Sequence, residues 1–102
     1  MGLRSKLAGP TVAQSESLGA SALLFIAQDR QRLAHFLTLT GMEPDVLMQS
    51  AGSHQTLSAV LEHLLADESL LLTFAAGAGI LPDEVGRALS SLSGGARREG
   101  GG

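Results

Sequence analysis

In "HQTLSAVLEHLLAD", residues 54–67, the apolar positions Leu57, Val60, Leu61, Leu64 and Leu65 fall at i, i+3, i+4, i+7 and i+8. That is one stripe at helical spacing, and Ser53 before it is a favoured N-cap. In "SESLGASALLFIAQ", Ala22, Leu23 and Ile26 repeat the spacing of Val60, Leu61 and Leu64, and Leu18 and Phe25 extend the same face. Both segments are predicted to be helices. Each ends at an aspartate, Asp29 and Asp67, a residue poor inside a helix and good at its start. Two more helices are therefore predicted, over 30–40 and 68–78. Leu33, Phe36 and Leu37 form the core face of one, and Leu70, Leu71, Phe74 and Ala78 that of the other.

The segments "FLTLTGMEPDVL" and "FAAGAGILPDEV" carry Phe, Gly, Pro and Asp in the same order (36 and 74, 41 and 79, 44 and 82, 45 and 83), 38 positions apart each time. Local physics explains the punctuation. Gly41 and Gly79 can close a helix in the left-handed conformation. Met42 and Ile80 can fold back onto the last turn. Pro44 and Pro82 suit the first position of a new helix, where a missing N–H costs nothing. Asp45, Asp83 and Glu84 place negative charge at its positive end. Leu47 with Met48, and Val85 with Leu89, are expected to turn inward.

The pattern thus predicts an all-α fold: a compact six-helix bundle of two tandem three-helix units, 15–52 and 53–92, with pseudo-twofold symmetry. Duplication and independent use of the same capping physics both account for the repeat. Residues 1–14 hold no sustained apolar face, and residues 93–102, "SGGARREGGG", are glycine-rich. Both are expected to be disordered tails. The remaining domain of roughly 78 residues supports only a thin core, so further apolar cover from a partner or a second copy is plausible on size alone.

Composition narrows the function. Among 102 residues there is no cysteine, which excludes disulfides, thiolate metal sites and a Cys nucleophile and fits the cytoplasm. A net charge of −3 without a Lys/Arg stripe argues against nucleic acid, and the helices after the elbows are acidic or neutral, unlike a DNA-reading helix. With three Phe and neither Tyr nor Trp, base-stacking platforms are not expected. The uncharged apolar runs 17–28 and 69–82 fall short of a bilayer span of about 18–20 residues, so no membrane association is expected. Glu16 interrupts the approach to the apolar run that would make a signal peptide.

Candidate chemistry is sparse. His35 and His63 lie off the apolar stripes and are expected to face solvent, and His54 lies in a first helical turn. No HExxH, G-x-S-x-G, GxGxxG or Walker-type loop occurs. No catalytic residue, metal ligand or cofactor is expected, and the chain is read as not an enzyme. Glu62, Asp67 and Glu68 cluster at one corner, explained first by capping and solvation. Leu24, Leu39 and Leu72 lie off or at the border of the main faces, and such an apolar excess marks partner surfaces. Glu62, His63, Asp67, Glu68 and Leu72 are the candidate partner surface.

Over residues 17–92 the chain resembles a family of small alphaproteobacterial proteins, domain of unknown function 3572. Its outline is matched by Phe25, Ala27, Asp29, Leu33, Phe36, Leu37, Thr40, Gly41 and Pro44, and then by Val60, Leu61, Leu64, Leu65, Asp67, Glu68, Leu70, Leu71, Leu72, Phe74, Ala75, Gly79 and Pro82. Glu43 and Leu81 depart from it, since relatives often carry Asp before these prolines, and the departure weakens both caps. The resemblance implies a small cytosolic helical protein of uncharacterised role, supplies no catalytic residues to carry over, and points to two-component signalling as a source of partners. The expected function is a non-enzymatic protein–protein interaction module. A structural homodimer is the alternative, followed by a small-molecule-binding or DNA-associated regulator.

Overall fold

A computed structural model describes the backbone of residues 10–101 and the side chains of 10–93. Six helices follow one another: α1 (Val12–Ala27), α2 (Arg30–Thr40), α3 (Pro44–Gln49), α4 (His54–Leu65), α5 (Glu68–Ala78) and α6 (Pro82–Gly101). No strand is present among the described residues.

All five junctions follow from residue chemistry at single positions, among them Ser53, whose hydroxyl accepts the Thr56 N–H at 3.1 Å to start α4. Asp29 Oδ1 accepts the N–H groups of Gln31 and Arg32 at 2.9 and 3.1 Å, and Asp67 Oδ1 accepts that of Leu70 at 3.1 Å. Each aspartate thereby satisfies helix-start donors that lack a partner within the helix. Gly41 and Gly79 end α2 and α5 in the left-handed region, at φ 72° and 70°. After Gly79 the Ile80 N–H reaches back to the Ala75 carbonyl at 3.0 Å, and Ile80 and Met42 pack against the core. Pro44 and Pro82 open α3 and α6 as expected. Glu43, the departure noted before Pro44, makes no side-chain cap bond, while at the other elbow the Leu81 N–H is taken by Glu84 Oε2 at 2.9 Å.

Both outer boundaries differ from expectation. Helix α1 begins at Val12, inside the stretch read as tail. "TVAQ" is a capping box: the Thr11 hydroxyl accepts the Gln14 N–H at 3.0 Å while Gln14 Oε1 accepts the Thr11 N–H at 2.8 Å. At the other end the backbone stays helical to Gly101, past the boundary drawn at 92.

Helices α1, α4 and α6 pack against one another as the centre of the fold, with α2 leaning on α1 and α4, and α5 on α4 and α6. Their shared interior holds Ala22, Ile26, Phe36, Leu57, Val60, Leu61, Leu64, Phe74 and Val85. Positions 38 apart are buried in pairs: Ala22 with Val60, Ile26 with Leu64, Phe36 with Phe74, Leu47 with Val85. The correspondence fails in the third helix of each unit. Helix α6 covers both α1 and α4, whereas the six-residue α3 makes no comparable interface. Three inward assignments are corrected with it. Met48 is 78% exposed because α3 buries only Leu47; Leu65 lies at the rim of its stripe; and Ala78 is exposed while Ala75 takes the core position.

The candidate functional site at the α4–α5 corner

The corner is made where α4 stops at Leu65 and Asp67 starts α5. Glu62, Asp67 and Glu68 are exposed around it, with Leu65 and Leu72 exposed at 39% and 48%. Four of the five residues read as a partner surface therefore stand on the outside of one corner. Asp67 spends one carboxylate oxygen on the Leu70 N–H, which accounts structurally for an acid at that position.

His63 contradicts the expectation that it faces solvent. It is only 8% exposed. The reason lies in the number of neighbours α4 has. Because α4 packs against α1, α2, α5 and α6, it is buried on more than its leucine stripe. Thr56, Val60 and His63, at i, i+4 and i+7, form a second buried ridge. That spacing was visible in the sequence, but the polar ends of the ridge hid it.

The ring of His63 meets Phe36 of α2 edge to face, with centroids 5.2 Å apart and planes at 84°. His35, the neighbour of Phe36, also stands near the His63 ring, at 5.7 Å between ring centroids. His63 Nε2 is buried and has no hydrogen-bond partner. Burial pushes the pKa of His63 below its ordinary value of 6.5, the adjacent His35 pushes it the same way, and Asp67 opposes them. At neutral pH the ring is therefore an uncharged packing element.

The units are also joined by a set the sequence reading did not assemble. Phe25 of α1 packs on Phe74 of α5 with centroids 5.4 Å apart, and the Arg32 guanidinium of α2 lies 4.2 Å over the Phe25 ring. Such a cation–π contact holds the arginine stem against the fold.

Two concavities open elsewhere. One of about 860 Å³ lies between α1 and α6, walled by Leu18, Ile80, Leu81 and Ala88 with Ser21 and Arg87. The other, about 580 Å³, is bordered by Leu65, Leu71, Pro82, Asp83 and Arg87. Neither is lined by Glu62, His63 or Asp67. Among the described residues no group of three or more His, Asp or Glu side chains is placed to hold a metal ion. No helix among them is long and apolar enough to cross a membrane.

With this arrangement in view, comparison with known proteins decides the family. Residues 12–95 match the family described as protein of unknown function (DUF3572). The chain belongs to that family. The match takes in all of α1–α5 and most of α6, so the Asp caps, both Gly–Pro elbows and the acidic corner lie inside the DUF3572 region. No curated protein and no solved structure matches the chain.

Proposed function

We propose that this DUF3572 protein is a non-enzymatic interaction module and that its docking face is the α4–α5 corner. The observation that carries the reading is the company kept by Leu65 and Leu72. Leu65 lies one turn from Glu62 and Leu72 one turn from Glu68, and all four are exposed with Asp67 between them in the chain, so exposed apolar and acidic side chains are neighbours on each helix of the corner. Apolar anchors give affinity on desolvation, and a charged rim selects and steers the partner. The complementary partner is a protein segment with an apolar anchor flanked by lysine or arginine. A bacterial two-component regulator, in the cytoplasm, is the partner class that the family resemblance favours.

The competing reading is a structural homodimer, supported by Leu24, Leu39 and Met48, which are 58%, 64% and 78% exposed away from this corner. Affinity capture from native lysate separates the two when run with Leu72→Glu, with the pair Glu62→Lys/Glu68→Lys, and with Leu24→Glu. The docking reading expects one protein retained by the wild type and by Leu24→Glu but lost from both corner variants. Retention unchanged by the corner substitutions overturns it. Light scattering that gives a dimer, dispersed by Met48→Glu, establishes the homodimer instead.

A further inference from the structure

One group in the core has no structural reason to be ionisable. The ridge that carries His63 packs against α2 through Phe36, a fully buried residue. A phenylalanine or leucine would fill the same space without leaving a buried nitrogen unpartnered. An orphaned polar atom of this kind calls for an explanation beyond packing.

We propose that His63 is a proton-operated latch that holds α2 against α4. With the ring neutral, its edge-to-face contact with Phe36 closes the two helices together. With the ring protonated, the new charge finds no acceptor in the interior, and an unpaired buried charge is strongly disfavoured. The titratable groups that act on it are His35 from α2 and Asp67 from the start of α5. His35 repels the charge and Asp67 attracts it. The last-turn carbonyls of α4, where His63 sits, also favour a cation at the rim. The direction of movement follows: away from Phe36 and His35, outward toward Asp67. The helix that loses its contact is α2, and the surface that is reshaped is the one bearing Glu62, Asp67, Glu68 and Leu72.

The latch goes beyond the docking proposal and stands or falls without it, because it is read on the chain alone. The experiment is amide hydrogen exchange on the full chain, corrected for intrinsic rates, between about pH 7.5 and about pH 5, with an NMR titration of the three histidine rings. The latch predicts that protection in α2 around Phe36 falls several-fold on acidification. It predicts that the midpoint coincides with the titration of His63 and lies below that of an ordinary histidine. In His63→Leu and His63→Gln the α2 response to pH disappears, and in His35→Gln its midpoint moves up. Wild-type α2 protection that does not change with pH, or a response that survives both His63 substitutions, overturns the proposal. Should either variant fail to fold, the wild-type titration alone decides. Opening of α2 at a pH where His63 does not titrate is contradictory, and so is titration of His63 without opening.

Discussion

Gly19 and Leu57, separated by the same 38 positions that divide the two elbows, touch in the folded chain: a Cβ built on Gly19 would lie 3.0 Å from Leu57 Cβ. One turn earlier the next equivalent pair also meets, with His54 Nε2 and Glu16 Oε2 at 2.5 Å across 38 positions. Two successive contacts at one offset mean that α1 and α4 run side by side, in register, with corresponding residues facing each other. The seam between α1 and α4 is thus a parallel, in-register pairing. The exposed Glu16–His54 pair adds little to its strength, on the order of 0–1 kcal/mol for surface pairs. The close approach at Gly19 is what brings the helices together.

The seam sets the sign of a substitution that propensity alone would misjudge. Alanine is favoured over glycine in a helix by up to about 1 kcal/mol. At Gly19 the added methyl meets Leu57 Cβ, which is fixed to a buried backbone and cannot yield as a side-chain tip would. Gly19→Ala is expected to destabilise by about 1 kcal/mol net, within the range for overpacking. Gly77 and Gly86 lie in α5 and α6 with nothing within 4 Å of the added atom. Gly77→Ala and Gly86→Ala are expected to stabilise by about 0.5–1 kcal/mol. Urea denaturation of the three variants measures the contrast.

At Gly41 and Gly79 there is also nothing within 4 Å, yet alanine is expected to cost about 1–2 kcal/mol because φ is positive at both. Asp67→Ala is expected to cost about 1 kcal/mol through its bond to the Leu70 N–H. Glu43 makes no such bond, so Glu43→Ala is expected to change stability by under about 0.5 kcal/mol. Thermal unfolding midpoints that rank these variants in any other order would show that the caps are misassigned.

Core and surface separate sharply around the first elbow. Phe36 is fully buried and Met48 is 78% exposed. Phe36→Ala is expected to lose about 3–5 kcal/mol, a large part of what a small domain has in total, and Met48→Ala less than about 0.5 kcal/mol. Equal losses at the two positions would mean that α3 buries the face containing Met48.

The pKa direction of His63 fixes a pH dependence for global stability. Folding lowers its pKa, so between the folded value and 6.5 the unfolded chain binds more protons. His63 therefore has no adverse effect above about pH 6.5, and stability falls as pH drops through that value toward the lower folded pKa, below which its contribution is constant. Denaturant midpoints of wild type should decline in that window relative to those of His63→Leu. A parallel decline in both would assign the effect to other groups.

The helices and elbows were legible in the sequence because each is set by local chemistry. Asp29, Gly41, Pro44, Asp67, Gly79 and Pro82 act within a few residues of themselves, and all six stand where their chemistry requires. The errors arose where a neighbour in space decides. His63 appears exposed on a helix judged by one stripe, and is buried because α4 is surrounded by four others. Met48 appears inward if α3 resembles α6, but α3 ends at Gln49. The Thr11–Gln14 capping box was readable and was obscured by the proline and glycine before it. Of the site, the acidic and leucine positions could be read from sequence, whereas the ring contacts of His63 with Phe36 and His35 needed the packing of α2 on α4.

Most directly, the register of the seam is tested by nuclear Overhauser effects from the Gly19 Hα protons in the unmodified protein. Strong cross-peaks to the Leu57 methyl groups are predicted, since Leu57 Cδ2 lies 3.3 Å from the position of the built Cβ. Gly19 Hα protons that show no contact with Leu57, and instead meet side chains of α2 or α5, would contradict the in-register pairing of α1 and α4.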